Sequence, residues 1–247
     1  MPRGGFDASW LDRRLQTDRP EYLDRDDVDD RIKRQVIGSL DVMERVLRDH
    51  ARIATRALRL VAGIPEPKIL ELGAGHGGLS RKLLEMHAAA RVTVTDIDPI
   101  AVSTIASGDL GSHPRAVVRR MDATDIDASD GSYDLALFAL AFHHLPPDAG
   151  ARVLAEGTRV ADELVIVDLR RPHVALHLVR LASFTPFALF LPLAHDGLIS
   201  SLRAYSPSGF LSLAAHADPA IAVEFSRMGR NQMVVARRER PAPTGPA

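Results

Sequence analysis

The stretch Lys68-Ile69-Leu70-Glu71-Leu72, followed by Gly73-Ala74-Gly75-His76-Gly77-Gly78, constrains the fold more than any other part of the chain. A short apolar run that opens on glycines and resumes as an amphipathic segment reads as a strand turning sharply into a helix. Glycines at such a turn let the backbone bend and approach a ligand closely. The segments that follow keep the same rhythm. Strands are expected at 68–72, 92–96, 116–121, 133–140 and 164–169, with helices at 79–86, 99–106 and 148–160 between them. Residues 133–140 are almost continuously apolar, as a strand covered on both faces should be. Alternation of this kind predicts a parallel sheet with helices on both sides. Asp98 and Pro99 are expected to cap and begin one helix.

The flanks read differently. Residues 1 to about 26 are polar and rich in Asp and Arg, which predicts a loosely held arm. Ile32, Val36, Leu40, Met43 and Leu47 step by three or four and predict a helix. A second apolar run, 53–61, stops at Gly63 and Pro65, a helix-ending pattern. The expected division is therefore an arm and helical lid over 1–63 and a main domain over 64–247. Within the latter, an apolar, irregular insertion at about 170–205 contains two internal prolines and would cover the ligand end of the sheet. A helix capped by Ser206 or Ser208, and two closing strands at 220–225 and 232–237 around a turn at Met228-Gly229-Arg230, complete the chain.

Bulk properties exclude several classes. The formal net charge of the 247 residues is -1, so no global field steers the chain to nucleic acid. Arg237, Arg238 and Arg240 are expected to form a solvated tail. There is no cysteine, hence no disulfide, no thiolate metal ligand and no cysteine nucleophile. A cytoplasmic location fits that usage and the lack of a signal pattern at the start. Residues 174–194 are apolar but contain His177, Arg180, Pro186 and Pro192, which argues against stable membrane insertion.

Gly73, Gly75 and Gly78 satisfy G-x-G-x-x-G, a weak signal alone. Asp96 ends the next strand, where a carboxylate can accept from ribose hydroxyls. That role serves a dinucleotide or a nucleoside equally. Glu71, two residues before the first glycine, would repel a pyrophosphate but not a cation. Asp122-Ala123 follows the third strand, where a carboxylate and a backbone N–H can read an adenine edge. His143 and His144 stand at the mouth of the site.

In this order and spacing, E-L-G-A-G-H-G, T-D-I-D-P, M-D-A-T-D and Y-D-L-A-L-F…H-H-L resemble the class I methyltransferases across residues 65–169. The resemblance implies an α/β, Rossmann-like, seven-stranded, mostly parallel sheet whose last strand is antiparallel. It implies S-adenosylmethionine as cofactor and S-adenosylhomocysteine as product. Glu71, Gly73, Ala74 and Gly75 would line the methionine end, Asp96 would hold the ribose, and Ile97 would pack on adenine. Asp122 and Ala123 would read its edge, and Leu140 would continue the pocket. Pro20-Glu21-Tyr22-Leu23-Asp24, Asp168-Leu169-Arg170-Arg171-Pro172 and His195-Asp196-Gly197-Leu198-Ile199-Ser200 resemble the flanks of bacterial small-molecule methyltransferases encoded beside type III polyketide synthases. That implies secondary metabolism and a small, fairly apolar acceptor methylated at oxygen. His143, His144 and His195 are the candidate bases. Arg170, Phe184, Phe187 and Tyr205 are the candidate acceptor contacts. No metal is expected, since adjacent side chains such as His143 and His144 rarely converge on one ion in a regular element. A homodimer is left open. The competing readings are an NAD-dependent oxidoreductase, a non-catalytic methyltransferase-like binding protein and a nucleic-acid methyltransferase. The last is disfavoured because no N/D-P-P-Y/F element is present to stack a flipped base.

Overall fold

The computed structural model describes residues 1–22, 25, 27–29, 31, 32, 35, 36, 49–188 and 191–238, with the backbone alone at 184 and 186–188. Leu40, Met43 and Leu47, which carry most of the first expected helix, lie outside these residues, as does Arg240.

Seven strands form one sheet: β1 (Lys68–Leu72), β2 (Arg91–Asp96), β3 (Ala116–Arg120), β4 (Tyr133–Ala139), β5 (Ala161–Leu169), β6 (Ile221–Met228) and β7 (Asn231–Arg238). Their order is β3-β2-β1-β4-β5-β7-β6. β1 to β5 are mutually parallel and β7 is antiparallel to both its neighbours. Strand order reverses between β1 and β4, so a crevice opens at their carboxyl ends, where open α/β sheets bind ligands.

Period-two alternation divides the core into two layers. Leu70, Leu72, Ala136, Phe138 and Ile166 pack under α5 (Pro147–Val160) and α8 (Pro207–Ala217). Ile69, Val92, Leu135, Leu137 and Val165 face α2 (Asp49–Leu60) and α3 (Gly78–Met86). Both faces are covered, which explains the four consecutive buried residues of β4. α4 (Pro99–Ser107) begins at Pro99 with the Asp98 carboxylate accepting from Ile100 N–H at 2.9 Å, as expected.

Three expectations are corrected. The start of the chain is not a loose arm. α1 (Trp10–Leu15) is anchored by a buried ion pair in which Arg171 Nε lies 3.0 Å from Asp12 Oδ1. Arg3, only 2% exposed, donates to the carbonyls of Arg203 and His143. The segment after β5 is regular rather than irregular: α6 (Val174–Ala188) and α7 (Pro192–Arg203) pack on each other, and Pro192 sits in the first turn of α7, where its missing N–H costs nothing. Arg237 and Arg238 belong to β7, not to a solvated tail. Arg237 pairs with Glu163 and Glu224, and Arg238 with Asp218. Among the described residues no helix is long and apolar enough to cross a membrane.

Candidate active site

The glycine turn leaves β1 and enters α3 with Gly73 at φ 63° and Gly75 at φ 58°. These left-handed values suit glycine and strain other residues. A Cβ at Gly73 would lie 2.7 Å from the Phe138 ring, whereas one at Gly75 would project into open space. Gly75 therefore borders a gap in the packing rather than the core. Its N–H donates to Asp96 Oδ2 at 2.8 Å, while Asp96 Oδ1 accepts from Asp98 N–H at 2.9 Å. The Ala74 N–H donates to the Thr95 carbonyl, so the turn is tied to the end of β2 along its length.

Glu71 is buried on the α3 face of β1. Burial pushes its carboxyl up to about 7, and the hydrogen bond donated by the Ser80 hydroxyl only partly offsets this. It forms no ion pair with a basic side chain among the described residues.

The remaining cofactor-end residues line the same edge. Ile97 is 55% exposed directly after Asp96, where its side chain can cover a flat ring. The Asp122 carboxylate accepts from both Thr124 N–H and Thr124 hydroxyl at 2.8 Å, which orients it beside Ala123. Leu140, at the end of β4, holds φ 59°, the only positive φ outside glycine among the described residues, and its N–H donates to the Val167 carbonyl. Backbone strain of this kind gathers at functional sites. A cavity of about 210 Å³ lined by Lys68, Arg91 and Tyr133 lies at the opposite end of the strands, away from this edge.

Beyond Leu140 a single 3-10 turn, Phe142–His144, carries the histidine pair. His143 is buried. Its Nδ1 lies 2.7 Å from Asp168 Oδ1, its N–H donates to Asp168 Oδ2, and its Nε2 lies 3.5 Å from Glu21 Oε1. Burial alone would push the imidazole down, but the Asp168 charge and hydrogen bond, helped by Glu21, hold it up at about 10. Held between two carboxylates, the ring favours its charged form. His144 is half-buried, and its carbonyl accepts from the Arg203 guanidinium.

The flanking motifs meet at this point. Glu21 accepts from the Ser200 hydroxyl at 2.6 Å, and Tyr22 N–H donates to Asp196 Oδ1 at 2.9 Å. The Tyr22 ring stacks on His195 at 4.1 Å, and His195 Nδ1 lies 2.9 Å from Asp196 Oδ1. Glu21, Asp168 and Asp196 were missed as site residues. Their signal was their place inside the flanking motifs, next to the histidines.

The candidate acceptor contacts separate. Arg170 is exposed at the end of β5, whereas its neighbour Arg171 is the buried partner of Asp12. Tyr205 is corrected: it is 2% exposed, its hydroxyl donates to the Leu145 carbonyl, and its ring packs on Phe142 and Phe210. A residue so enclosed supports the histidine turn and cannot touch an acceptor. The side chains of Phe184 and Phe187 lie outside the described residues.

Comparison with known proteins agrees with this fold. Residues 69–163 match a family described as a methyltransferase domain. No curated protein matches the chain in sequence. Among solved structures, the plantazolicin methyltransferase BpumL, in complex with a monoazolic desmethylPZN analog and SAH, is 14% identical with a TM-score of 0.66, covering 93% of this chain and 96% of that one. The magnesium protoporphyrin IX methyltransferase ChlM from Synechocystis PCC 6803, with bound SAH, is 17% identical with a TM-score of 0.56, over 78% and 83%. A SAM-dependent methyltransferase from Aquifex aeolicus is 20% identical with a TM-score of 0.51, over 69% and 81%. Residues 69–163 are thus similar to a methyltransferase domain, and the sheet has the fold of these solved methyltransferases.

Proposed function

We propose that this methyltransferase uses S-adenosylmethionine to methylate a small, largely apolar acceptor at oxygen. The observation that carries the cofactor is the buried Glu71 carboxylate, which forms no ion pair within 4 Å among the described residues and stands behind a glycine turn bordering open space. The candidate residues stand along one edge of the sheet, which supports this reading. Glu71, Gly73, Ala74 and Gly75 would take its methionine end and Asp96 its ribose. Ile97, Asp122, Ala123 and Leu140 would hold the adenine and close the pocket. When bound, the cofactor supplies the methyl group on a sulfonium that carries its own leaving group.

The chain then has two tasks, alignment and proton removal. Residues 1–22, α6 and α7 form the wall on the acceptor side. His195 is the better base candidate of the three. Its ring is partly exposed, Asp196 holds Nδ1, and Tyr22 fixes the ring plane. An aspartate holding one ring nitrogen orients the other toward a substrate proton. The apolar acceptor is supported by the largely apolar sequence of α6. A phenolic or polyketide-derived compound, of the kind made by type III polyketide synthases, fits a wall of that composition.

Calorimetry with S-adenosylhomocysteine tests the cofactor half. Wild type should bind it, should ignore NADH, and should lose at least tenfold in affinity in Asp96→Ala. Tight NADH binding, or unchanged affinity in the variant, would overturn the reading. A screen of phenols, quinols, fatty acids and sugars with mass-labelled cofactor tests the acceptor half.

A further inference from the structure

We infer that α6 is the face on which this chain rests against an anionic membrane surface. In a helix packed on a protein, the apolar stripe turns inward and the polar face meets water. α6 does the reverse. Among its described side chains the one buried residue is His177, while Leu176, Leu178 and Val179 are exposed. At about 100° per residue, Leu178, Ala182, Ala175, Val179 and Leu176 follow one another round an outer arc of about 160°, with His177 opposite. All five are exposed. Leu191, in the turn before α7, adds another exposed apolar side chain just past the helix end. A contiguous apolar surface of this kind marks a place of contact.

The charge around this face is of one sign. From Leu169 to His195 there is no Asp or Glu, in a chain whose 32 acids and 31 Lys and Arg otherwise balance. Arg170 is exposed just before the helix, and Arg180, half-buried within it, donates to Ser201 Oγ at 3.2 Å. The Asp12–Arg171 pair holds α1 beside the start of α6, and α1 adds the exposed Arg13 and Arg14. This charge decides between occupants. A second copy meeting the face by two-fold symmetry would set the patch against itself, with Arg170 and Arg180 opposite their own kind and no acid in the segment to pair them. Anionic headgroups supply the missing charge, while acyl chains take Leu176, Leu178 and Val179. The helix lies on the bilayer and does not cross it: its 15 residues span about 22 Å against roughly 30 Å of hydrocarbon, and Arg180 falls in mid-helix.

The placement serves the proposed reaction. α6 packs on α7, which carries His195, so the surface that would touch the bilayer adjoins the wall assigned to the acceptor. An acceptor apolar enough to partition into a bilayer would then reach the cleft without crossing water. This role rests on the apolar-acceptor reading given above, whereas attachment to the bilayer does not.

The test therefore uses neither cofactor nor acceptor. Untagged full-length protein is sedimented with sucrose-loaded vesicles of phosphatidylcholine containing about 30% phosphatidylglycerol. Most of the wild type should sediment at about 1 mM lipid. At least fivefold less should do so with phosphatidylcholine alone, or in about 0.5 M NaCl, which screens the headgroup charge. Leu178→Gln/Val179→Gln should lower binding at least tenfold while leaving the thermal midpoint unchanged and S-adenosylhomocysteine affinity within twofold, because both side chains already stand in water. Leu178→Trp/Trp10→Phe moves the chain's only tryptophan onto α6, and its emission should shift to the blue on adding vesicles. Wild type that stays in the supernatant, or binding that the glutamine variant retains, would overturn the inference. So would an emission shift that follows protein concentration with no lipid present, since the face would then belong to a second copy. Should the glutamine variant unfold, the tryptophan emission decides alone. Loss of S-adenosylhomocysteine binding in wild type would instead strike the cofactor reading and leave this one standing.

Discussion

Replacing Glu71 by Gln should stabilise the cofactor-free protein and weaken the enzyme. The carboxyl sits at about 7 in the folded chain against 4.5 for an ordinary glutamate, because burial disfavours its charge. A group whose folded value is raised in this way binds more protons folded than unfolded between those two values. Its contribution to stability is therefore full below pH 4.5 and declines as the pH rises to about 7. At about 1.4 kcal/mol per pH unit, the loss between pH 5 and pH 8 is about 3 kcal/mol. Gln is nearly isosteric with the protonated acid and does not titrate. Wild type and Glu71→Gln should thus be about equally stable at pH 5, while at pH 8 the variant should exceed wild type by about 3 kcal/mol.

Urea denaturation at the two pH values, without cofactor, measures both differences, and every other titrating group cancels between the two proteins. The same variant should bind S-adenosylmethionine roughly 10- to 100-fold more weakly at pH 8, since about 1.4–2.7 kcal/mol of attraction to the ligand's positive charge is removed. Wild-type affinity should itself rise between pH 6 and 8. A stability difference between the two proteins that changes by less than about 1 kcal/mol from pH 5 to pH 8 would refute the reasoning. So would a variant that binds the cofactor as wild type does. In either case the acid would be an incidental buried residue satisfied by Ser80.

Two further substitutions probe the frame around the site. Asp12→Ala leaves the buried Arg171 guanidinium without its carboxylate and should cost about 3–5 kcal/mol, most of it recovered in Asp12→Ala/Arg171→Met. A double-mutant cycle in urea in which the single costs simply add would argue against that pair as the anchor of the N-terminal segment. Gly73→Ala imposes a side chain at φ 63° with its Cβ 2.7 Å from the Phe138 ring, and should cost about 2–4 kcal/mol. An unchanged thermal midpoint would show that the turn relaxes freely.

The two halves of the site differed in how far the residues alone revealed them, and the reason is physical. The cofactor half is assembled from strand ends. Each contributes a contiguous signature, such as Glu71 to Gly78 or Asp96 to Pro99, and parallel strands bring those ends to one edge automatically. Burial periodicity therefore exposed the sheet, and the candidate acids Glu71, Asp96 and Asp122 stand at or beside its strand ends. The proposed acceptor half has no such rule. It joins Glu21 to Ser200, Asp12 to Arg171 and Arg3 to His143, pairs separated by 140 to 179 positions. Every member is polar, so composition reads each one as solvated. Only the closed fold shows that they exchange water for one another. Tyr205 failed for the converse reason. An aromatic with a hydroxyl near an active-site segment reads as a contact, yet its hydroxyl is spent on the Leu145 carbonyl and its ring on the core. The histidine pair lies at the boundary between the halves. In a regular element adjacent rings would point apart, whereas the 3-10 turn brings these two to 4.3 Å. Sequence spacing limits what side chains can do through the geometry of the element that carries them, so a pair after a strand end, where elements change, is where such limits relax and where new chemistry is best sought.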